Sequence, residues 1–367
     1  MNESNLNIDI IDVPEPIKDK LRSLSSNITI RKQSRKGACG WLFFGENRIN
    51  RQKIAIKFYD WGGDTSHAEP QNLAAIKSEN VISILDAAFV NTDYAYFLTP
   101  YCEKGDLDEE ICSGVQGNSR AVKLTRDVLS GLSFLHTAKL LHRDLKPQNI
   151  LIDDRGRAII GDFGSVKKIP DGSNSVPGSG HSLIYRPPES VKNGQYGITG
   201  DIYQIGLLFF QLLGGHFPYE ESAWLTQKQL AKYHATEDCI DKQLFATDCI
   251  KKRIVASTVA DTSTLPPWVC LPLIRTITKA CNKEPRKRYS TCNEFLAHIN
   301  AIRNEIHDWQ IVAGLPTRFG TPNYRIQFDK KHSIHYVEKD KDSGWRKDNT
   351  FTNTDMPNLV REIETRV

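Results

Sequence analysis

The sequence predicts an α+β protein with two lobes, the first rich in strands and the second rich in helices, followed by a small β-rich module. Short segments rich in aromatic and β-branched residues, such as 53–59, dominate the chain up to residue 101. Beyond that residue the apolar positions recur at helical spacing, as they do from Leu124 to Leu135. After residue 322 short strand-like segments return. This order of segments indicates two lobes and an appended module.

Composition and charge exclude several classes of protein. The chain carries 48 Lys or Arg against 44 Asp or Glu, and this near balance argues against a dedicated nucleic-acid binder. The longest apolar run, 201–215, is too short to cross a membrane, and the N-terminus lacks the basic start and apolar core of a secretory signal. The eight cysteines show no metal-ligand spacing. Scattered cysteines of this kind indicate reduced thiols and a cytoplasmic location.

The strand-rich part, which we call the N-lobe, is predicted over residues 26–101. Residues 1–25 are polar and are predicted to form an extension. Aromatic and β-branched residues predict strands at 27–30, 40–46, 53–59 and 94–101, and a helix is expected around 67–77.

The helix-rich part, which we call the C-lobe, is predicted over residues 102–309. Its segment 201–213 is apolar on nearly all sides, so we expect this helix at the centre of the lobe. The module is predicted over 315–367. Further helices are predicted at 121–136 and within 264–285 and 290–309, and the module is predicted to hold strands at 323–328, 332–338 and 343–348 and a final helix from 356.

Charged side chains lie at the ends of apolar segments in the stretch LLHRDLKPQNILIDDRGRAIIGDFGS, residues 140–165. An isolated carboxylate at the end of a buried strand is costly unless a cation partners it. Neighbouring strands would bring Asp144, Asn149 and Asp162 to one cleft. The three side chains would there suit divalent cations and a hydroxyl group beside a polyphosphate.

Two motifs in this stretch resemble those of the eukaryotic-type serine/threonine protein kinases. Residues 142–149, HRDLKPQN, match the catalytic-loop pattern, and residues 162–164 read DFG. The resemblance extends over about residues 28–306 and implies a bilobal protein-kinase-like fold. It also implies ATP and Mg²⁺ as cofactors, with Mn²⁺ as an alternative ion.

The resemblance implies a role for each residue of the cleft. Asp144 would accept or orient the proton of the substrate hydroxyl, and Lys146 would contact the γ-phosphate. Asn149 and Asp162 would hold the magnesium ions, because Mg²⁺ prefers oxygen ligands. Lys57, which ends the segment IAIK, would pair with the α- and β-phosphates.

The partner of Lys57 has two interpretations. The family places a glutamate on the following helix, and Glu69 is our candidate because Glu79 follows too late in the chain. Ser66 and Glu69 also have the spacing of a helix capping box. In the second interpretation, Glu69 only caps that helix.

Residues 35–40, RKGACG, occupy the place of the family's glycine-rich phosphate loop. Gly37 and Gly40 would allow the backbone to approach the phosphates, whereas Arg35 replaces the first glycine of the family pattern. This substitution predicts either lower nucleotide affinity or additional positive charge over the phosphates.

Residues 97–107 resemble the family's hinge between the lobes. Thr99 would be the gatekeeper beside adenine, Pro100 and Cys102 would offer backbone groups to it, and Asp106 would bond the ribose. The acidic run 108–110 has two interpretations, a surface that attracts basic substrates and a solvated helix start.

The segment 165–187 resembles an activation loop. Ser173, Ser175 and Ser179 are candidate phosphorylation sites, and Arg143 would read the added phosphate. The alternative is that these serines belong to a flexible linker. The resemblance also implies structural roles for Ser182, which would bond Asp144 and Lys146, for Asp201, which would brace the catalytic loop, and for an ion pair of Glu189 with Arg288.

The module resembles no family that we recognise. Its aromatic residues, among them Tyr324 and Trp345, interleave with Arg, Lys and His. A surface for a partner and a stabilising appendage are both consistent with this pattern. Binding of single-stranded nucleic acid by stacking is disfavoured because Asp and Glu are equally frequent here.

The sequence therefore predicts a serine/threonine protein kinase that transfers the γ-phosphoryl of Mg-ATP to protein hydroxyls and phosphorylates its own activation loop. The alternative is a catalytically weak nucleotide-binding scaffold that presents the module to a partner. A kinase of small molecules is a third hypothesis, which the Glu189 and Arg288 pair disfavours.

Overall fold

The computed structural model describes residues 5–34, 40–60, 76–178, 182–341 and 344–366. The N-lobe is built on a five-stranded antiparallel sheet in the order β1-β2-β3-β5-β4. The predicted α+β fold is confirmed, although the helix expected around 67–77 lies almost wholly outside the described residues. The strands are β1 (Ile28–Ser34), β2 (Trp41–Asn47), β3 (Lys53–Asp60), β4 (Asp86–Phe89) and β5 (Tyr94–Pro100).

Residues 6–24, within the stretch that we predicted to form a polar extension, pack on the N-lobe. Helix α1 (Glu15–Leu24) buries Ile17 and Leu21 completely, and the amide of Leu6 donates to the carbonyl oxygen of Ile30 at 3.0 Å. Ile17 and Leu21 are one helical turn apart and therefore lie on the same face of α1. This face is the side of the helix that packs on the N-lobe. The two side chains join an apolar cluster with Ile56 and Phe58 of β3.

The C-lobe is helical and its centre is α5, as predicted from the apolar run. Residues from Gly200 to Leu212 of this helix are buried on every side. Among the described residues, no helix is long and apolar enough to span a membrane. The helices are α2 (Leu107–Cys112), α3 (Asn118–Thr137), α4 (Pro188–Asn193), α5 (Ile198–Leu212), α6 (Gln227–Ala235), α7 (Cys239–Ala256), α8 (Leu271–Ala280) and α9 (Cys292–Ala301).

Short strand pairs frame the loops of the C-lobe. One pair joins the two ends of residues 142–166, a second follows residue 149, and a third joins the segment before residue 178 to the residues that follow α4. These pairs hold the ends of the loops that carry the predicted site residues. They are β6 (Leu140–Leu141) with β9 (Lys167–Lys168), β7 (Ile150–Ile152) with β8 (Ala158–Ile160), and β10 (Val176–Pro177) with β11 (Gln195–Tyr196).

The module is a five-stranded antiparallel meander closed by a helix. Its sheet starts with the segment that follows the C-lobe helices, before residue 315, and its strands follow sequence order. On one face Arg325 lies over the ring of Trp345 at 4.5 Å and Lys347 over Tyr336 at 4.9 Å. The elements are β12 (Asp308–Val312), β13 (Leu315–Phe319), β14 (Tyr324–Asp329), β15 (Ile334–Lys341), β16 (Gly344–Lys347) and α10 (Met356–Thr365).

The module packs on the start of α3 through Trp309. This side chain is fully buried and stacks on Trp268 with ring centroids 6.2 Å apart. The amide nitrogen of Asn118 donates to the carbonyl oxygens of Trp268, at 3.0 Å, and His307, at 3.1 Å. A Cβ at Gly117 would lie 2.2 Å from the carbonyl oxygen of Trp309. The module and the C-lobe therefore share one apolar core, which favours a stabilising appendage.

Candidate active site

The predicted catalytic loop connects β6 to β7 and brings three of its polar side chains together. Asp144 is 5% exposed. Its Oδ2 accepts hydrogen bonds from Lys146 Nζ at 2.9 Å and from Asn149 Nδ2 at 3.1 Å. Pro147 begins a 3₁₀ turn, Pro147–Asn149, in which the backbone amide of Asn149 donates to the carbonyl oxygen of Lys146. This turn fixes the spacing between the carboxylate, the ammonium and the amide.

Asp162 follows β8 and carries a carboxylate that faces the N-lobe. Its backbone has a φ of +50°, a conformation that few residues other than glycine adopt. Its Oδ1 accepts a hydrogen bond from Lys57 Nζ at 3.1 Å. Partial burial opposes ionisation of this carboxyl, but the ammonium of Lys57 outweighs it and lowers the pKa of Asp162 below its ordinary value. Asp162 is therefore an anion at neutral pH.

His142 joins the catalytic loop to the segment that carries Asp162. The imidazole is fully buried, its Nε2 lies 3.0 Å from the carbonyl oxygen of Gly161, and its ring packs against Phe163 with centroids 5.4 Å apart. A hydrogen bond from the ring to Gly161 requires the proton on Nε2. The contact holds the Asp162 and Asp144 segments in one relative position.

Asn149 and Asp162 fit the requirements of Mg²⁺. The amide nitrogen of Asn149 donates to both the backbone oxygen of Asp144, at 2.7 Å, and its Oδ2. The amide oxygen of Asn149 is consequently turned away from Asp144. The side chain of Asp162 is 47% exposed, which leaves room for the water ligands that Mg²⁺ keeps. One carboxylate and one amide oxygen are ligands that this ion prefers.

Asp201 braces the catalytic loop from the centre of the C-lobe, as the resemblance implied. The carboxylate is fully buried and accepts the backbone amides of His142, at 3.0 Å, and Arg143, at 2.9 Å. It also bonds His136 Nε2 and the hydroxyl of Tyr196, both at 2.8 Å. Burial raises the pKa of Asp201, but the hydrogen bond to His136 and the loop amides lower it below the ordinary value.

Ser182 contacts Lys146, one of the two partners that the resemblance implied, and Glu189 and Arg288 form an ion pair. Lys146 Nζ donates to Ser182 Oγ at 2.8 Å, so this one ammonium touches both Asp144 and the segment before α4. Arg288 binds Glu189 through two parallel hydrogen bonds of 2.8 and 2.7 Å. A buried bidentate pair of this kind fixes the position of α4 relative to the helices below it.

The hinge residues lie at the end of β5 and directly after it. Thr99 and Pro100 pair with Ala55 and Ile54 of β3, two and three residues before Lys57. Cys102 is buried, and burial raises the pKa of its thiol to about 11.

Two further residues of the predicted nucleotide site, Asp106 and Gly40, lie at the start of α2 and directly before β2. Asp106 caps α2, where its Oδ1 accepts the amide of Glu109 at 2.9 Å. Gly40 has a φ of +96°, and a Cβ there would lie 2.1 Å from the carbonyl oxygen of Phe58. The backbone therefore turns sharply into β2 at a position that only glycine fills without strain.

Three candidate residues, Gly37, Glu69 and Ser179, lie outside the described residues, as does Arg35. The other two candidate phosphorylation sites are near β10. Ser173 is exposed and its hydroxyl donates to the carbonyl oxygen of Ser175, while Ser175 Oγ donates to Gln195 Oε1, both at 2.9 Å.

Two residues of the site were missed in the sequence. His136 lies in the last turn of α3 and contacts Asp201, a residue distant in the chain. Gln204 accepts the amide of Leu145 at 2.9 Å and the hydroxyl of Tyr196 at 2.9 Å. Gln204 had a signal, since it is a polar residue within the apolar run of α5, whereas nothing in the sequence marked His136.

A bilobal fold with a lysine on β3, a buried carboxylate in a loop and a second carboxylate facing that lysine defines a class of nucleotide-dependent phosphotransferases. The model of the family described as "Protein kinase domain" matches residues 33–299 of the chain. The chain therefore belongs to the protein kinase family.

Several characterised relatives carry protein kinase names. The chain is 30% identical to serine/threonine-protein kinase PrkC of Bacillus subtilis over 51% of its own length and 30% of the relative's. It is 29% identical to PknL of Mycobacterium tuberculosis over 56% and 53% of the two chains. It is 25% identical to PEPKR2 of Arabidopsis thaliana over 70% and 57%. The chain thus spans between 30% and 57% of the length of these relatives.

Proposed function

We propose that this chain transfers the γ-phosphoryl group of Mg-ATP to serine or threonine hydroxyls of protein substrates. The observation that carries the proposal is the cluster of Asp144, Lys146 and Asn149, in which a buried carboxylate is held by an ammonium and an amide. Family membership and the names of the relatives support the same reaction.

Each side chain of the cluster has a task in this reaction. Asp144 orients the acceptor hydroxyl and takes its proton, and Lys146 offsets negative charge as the phosphoryl group moves. Lys57 holds the phosphates on the N-lobe side. Asn149 and Asp162 would hold Mg²⁺, which supplies charge neutralisation for the phosphate oxygens when bound. Catalysis would rest on positioning and electrostatics, because phosphoryl transfer asks little covalent chemistry of the protein.

The preference for serine and threonine is supported by the names of the relatives, which are serine/threonine-protein kinases. The site itself contains a contact of Lys146 with Ser182. This contact, at 2.8 Å, joins the catalytic loop to the segment on which a substrate would lie. The segment is further fixed by the packing of the Tyr185 ring against Phe217, with centroids 5.1 Å apart and the rings tilted by 40°.

We also propose that phosphorylation within residues 165–187 regulates the site. Arg143 Nη1 donates to the carbonyl oxygen of Pro177 at 3.0 Å, so its guanidinium reaches the strand that follows Ser173 and Ser175. A phosphate on either serine would be attracted by this guanidinium and would order the loop.

The test is the incorporation of labelled phosphate from ATP into a mixture of generic substrate proteins and into the chain itself. Asp144→Asn should lower incorporation by about 100- to 10,000-fold, the range that a proton-transferring group contributes. Binding of Mg-ATP, measured by calorimetry, should be retained. The matched control is Asp154→Asn, the same chemical change at an exposed turn between β7 and β8.

The same experiment distinguishes a protein kinase from the alternative, a catalytically weak nucleotide-binding scaffold. A scaffold would bind Mg-ATP and incorporate no phosphate in either the wild type or the variants. Incorporation that survives Asp144→Asn undiminished would contradict the assignment of the base.

A further inference from the structure

His136 makes a second polar contact, on the side of its ring that faces away from Asp201. Its Nδ1 lies 3.5 Å from Sγ of Cys292, a residue 156 positions further along the chain. The other ring nitrogen, Nε2, lies 2.8 Å from Asp201 Oδ2. A thiol, an imidazole and a carboxylate therefore form a continuous series of contacts from α9 to the residue that braces the catalytic loop.

Cys292 is the first residue of α9, and the start of this helix is held firmly. The hydroxyl of Thr291 caps the helix by accepting the amide of Glu294 at 3.1 Å. The ring of Phe295 stacks on Tyr289 with centroids 4.2 Å apart. Cys292 itself is 2% exposed. The thiol is thus fixed against the last turn of α3, where His136 lies.

The charge of Asp201 determines which nitrogen of the ring carries a proton. Asp201 is an anion at neutral pH because its pKa is lowered, and a carboxylate only accepts hydrogen bonds. The contact at 2.8 Å therefore requires a proton on Nε2 of His136. In the neutral ring Nδ1 is then an acceptor. Among the described residues, Cys292 is the group placed to donate to this nitrogen.

The order Cys, His and Asp also occurs in nucleophilic sites, but this thiol does not suit that chemistry. A nucleophilic cysteine needs access to its substrate and a lowered pKa. Burial, together with the charge of Asp201, raises the pKa of the Cys292 thiol, and its side chain is almost inaccessible to solvent. The thiol therefore keeps its proton at neutral pH and is available as a donor to His136.

We propose that Cys292 is a positioning residue, whose thiol donates to Nδ1 of His136 and thereby fixes the ring that holds Asp201. The carboxylate of Asp201 accepts the backbone amides of His142 and Arg143, which directly precede the residue assigned as the base. The hydrogen bond at one ring nitrogen sets the proton at the other, so loss of the thiol frees the ring to turn or to change tautomer. The inference rests on the proposed function only in linking this loop to phosphoryl transfer.

The first measurement is the nitrogen chemical shifts of His136 in the full chain labelled with ¹⁵N-histidine. The signals of His136 are identified by their absence in His136→Gln. In the wild type we expect a proton on Nε2 and a hydrogen-bonded acceptor at Nδ1. In Cys292→Ala the shift of Nδ1 should move toward that of a free acceptor. In Cys292→Ser it should stay closer to the wild type, because a hydroxyl is also a donor.

The second measurement is hydrogen exchange of the two amides that Asp201 accepts, those of His142 and Arg143. Exchange reports the free energy of local opening. Cys292→Ala should speed exchange of both amides about two- to tenfold, the change that one weak hydrogen bond makes. The matched control is Cys249→Ala, which removes a buried thiol from α7 and should leave both rates unchanged.

Steady-state phosphoryl transfer provides the third measurement. In Cys292→Ala kcat should fall by a factor similar to the change in exchange, while KM for ATP stays the same because Lys57 and the hinge are not altered. Cys292→Ser should again lie closer to the wild type. If the chain transfers no phosphate, the nitrogen shifts and the amide exchange still test the contact, so failure of the proposed function and failure of positioning are told apart.

A displaced Nδ1 signal and faster exchange in Cys292→Ala, with Cys292→Ser nearer to the wild type, support the proposal. An unmoved Nδ1 signal, equal effects of Ala and Ser, or the same acceleration in Cys249→Ala overturns it, because each result would attribute the effect to packing. If Cys292→Ala does not fold, the wild-type spectrum decides, since a proton on Nδ1 of His136 contradicts donation by the thiol.

Discussion

The N-terminal segment and the C-terminal module both pack on the kinase core, but they pack on elements that carry different parts of the candidate site. Helix α1 lies on the face of β3 that holds Ile56 and Phe58, and Lys57 lies between them in the chain. The module lies on the start of α3, whose far end carries His136, the partner of Asp201. One appendage therefore supports the nucleotide side and the other supports the catalytic loop.

The chemistry of the two contacts also differs. The contact of α1 is apolar and belongs to a cluster of the N-lobe alone, whereas the module extends the main core of the C-lobe and adds hydrogen bonds from Asn118. An interface that continues a core is expected to be permanent, since separation would expose a large apolar surface. We therefore expect loss of the module to cost more than loss of α1.

The largest effect is expected for Trp309→Ala. Removing this fully buried ring leaves a cavity against Trp268 and should lower the free energy of unfolding by about 4 kcal/mol. Urea denaturation followed by circular dichroism measures the change. Trp345→Ala, on the partly exposed outer face of the module, is the control and should cost much less. Equal costs for the two variants would contradict a shared core.

A somewhat smaller effect is expected for Leu21→Ala on α1. The loss of this fully buried side chain should cost the N-lobe about 3 kcal/mol and speed amide exchange in β3. Because β3 carries Lys57, affinity for Mg-ATP should fall as well. Leu85→Ala, at a residue of the N-lobe that is 42% exposed, is the control. Unchanged exchange in β3 would show that α1 does not support the nucleotide side.

The sequence predicted most of this architecture but not the way the appendages attach. The strands of the N-lobe and α3 follow local periodicity, and Asp144, Asn149 and Asp162 lie in contiguous motifs. Helix α1 was missed because only Ile17 and Leu21 supply its buried face. The role of His136 depends on Asp201, far along the chain, and the pairing of β12 with β13 depends on contacts that periodicity does not report.

An intermediate effect on the free energy of unfolding is expected for Asp201→Asn. This variant tests how much the hydrogen bonds from Asp201 to the catalytic loop contribute to stability. Because the pKa of Asp201 is lowered in the folded state, its carboxylate stabilises the fold above the unfolded-state pKa of about 3.8. This stabilisation is lost as pH falls through the lower folded-state pKa. Asn should cost about 2 kcal/mol near neutral pH and flatten the acid side of the stability profile. Unfolding midpoints measured from pH 2 to 7 check this.

The same pH profile sharpens the comparison of the appendages. Trp309→Ala removes apolar packing, so it should lower stability by a similar amount at every pH and leave the slope on the acid side unchanged. A slope that changes in Trp309→Ala would mean that the module acts on the ionisation of Asp201 through α3.

The smallest effect is expected for Glu364→Gln in α10. Trp309 Nε1 donates to Glu364 Oε1 at 3.2 Å, and a glutamine retains an acceptor at this position. The variant should therefore change the free energy of unfolding by about 0.5 kcal/mol. A loss comparable to that of Trp309→Ala would place the energy of the junction in this hydrogen bond and not in ring stacking.

The contact between the module and the C-lobe also depends on the absence of a side chain at Gly117. At Gly117 the main chains of the two parts come so near that a single methyl would collide with the carbonyl of Trp309. Alanine at this position would push the module and the C-lobe apart, although every other residue of the interface is unchanged. The module therefore fits a C-lobe that has glycine at this position. It could not bind in the same orientation to a related C-lobe that has a larger residue there.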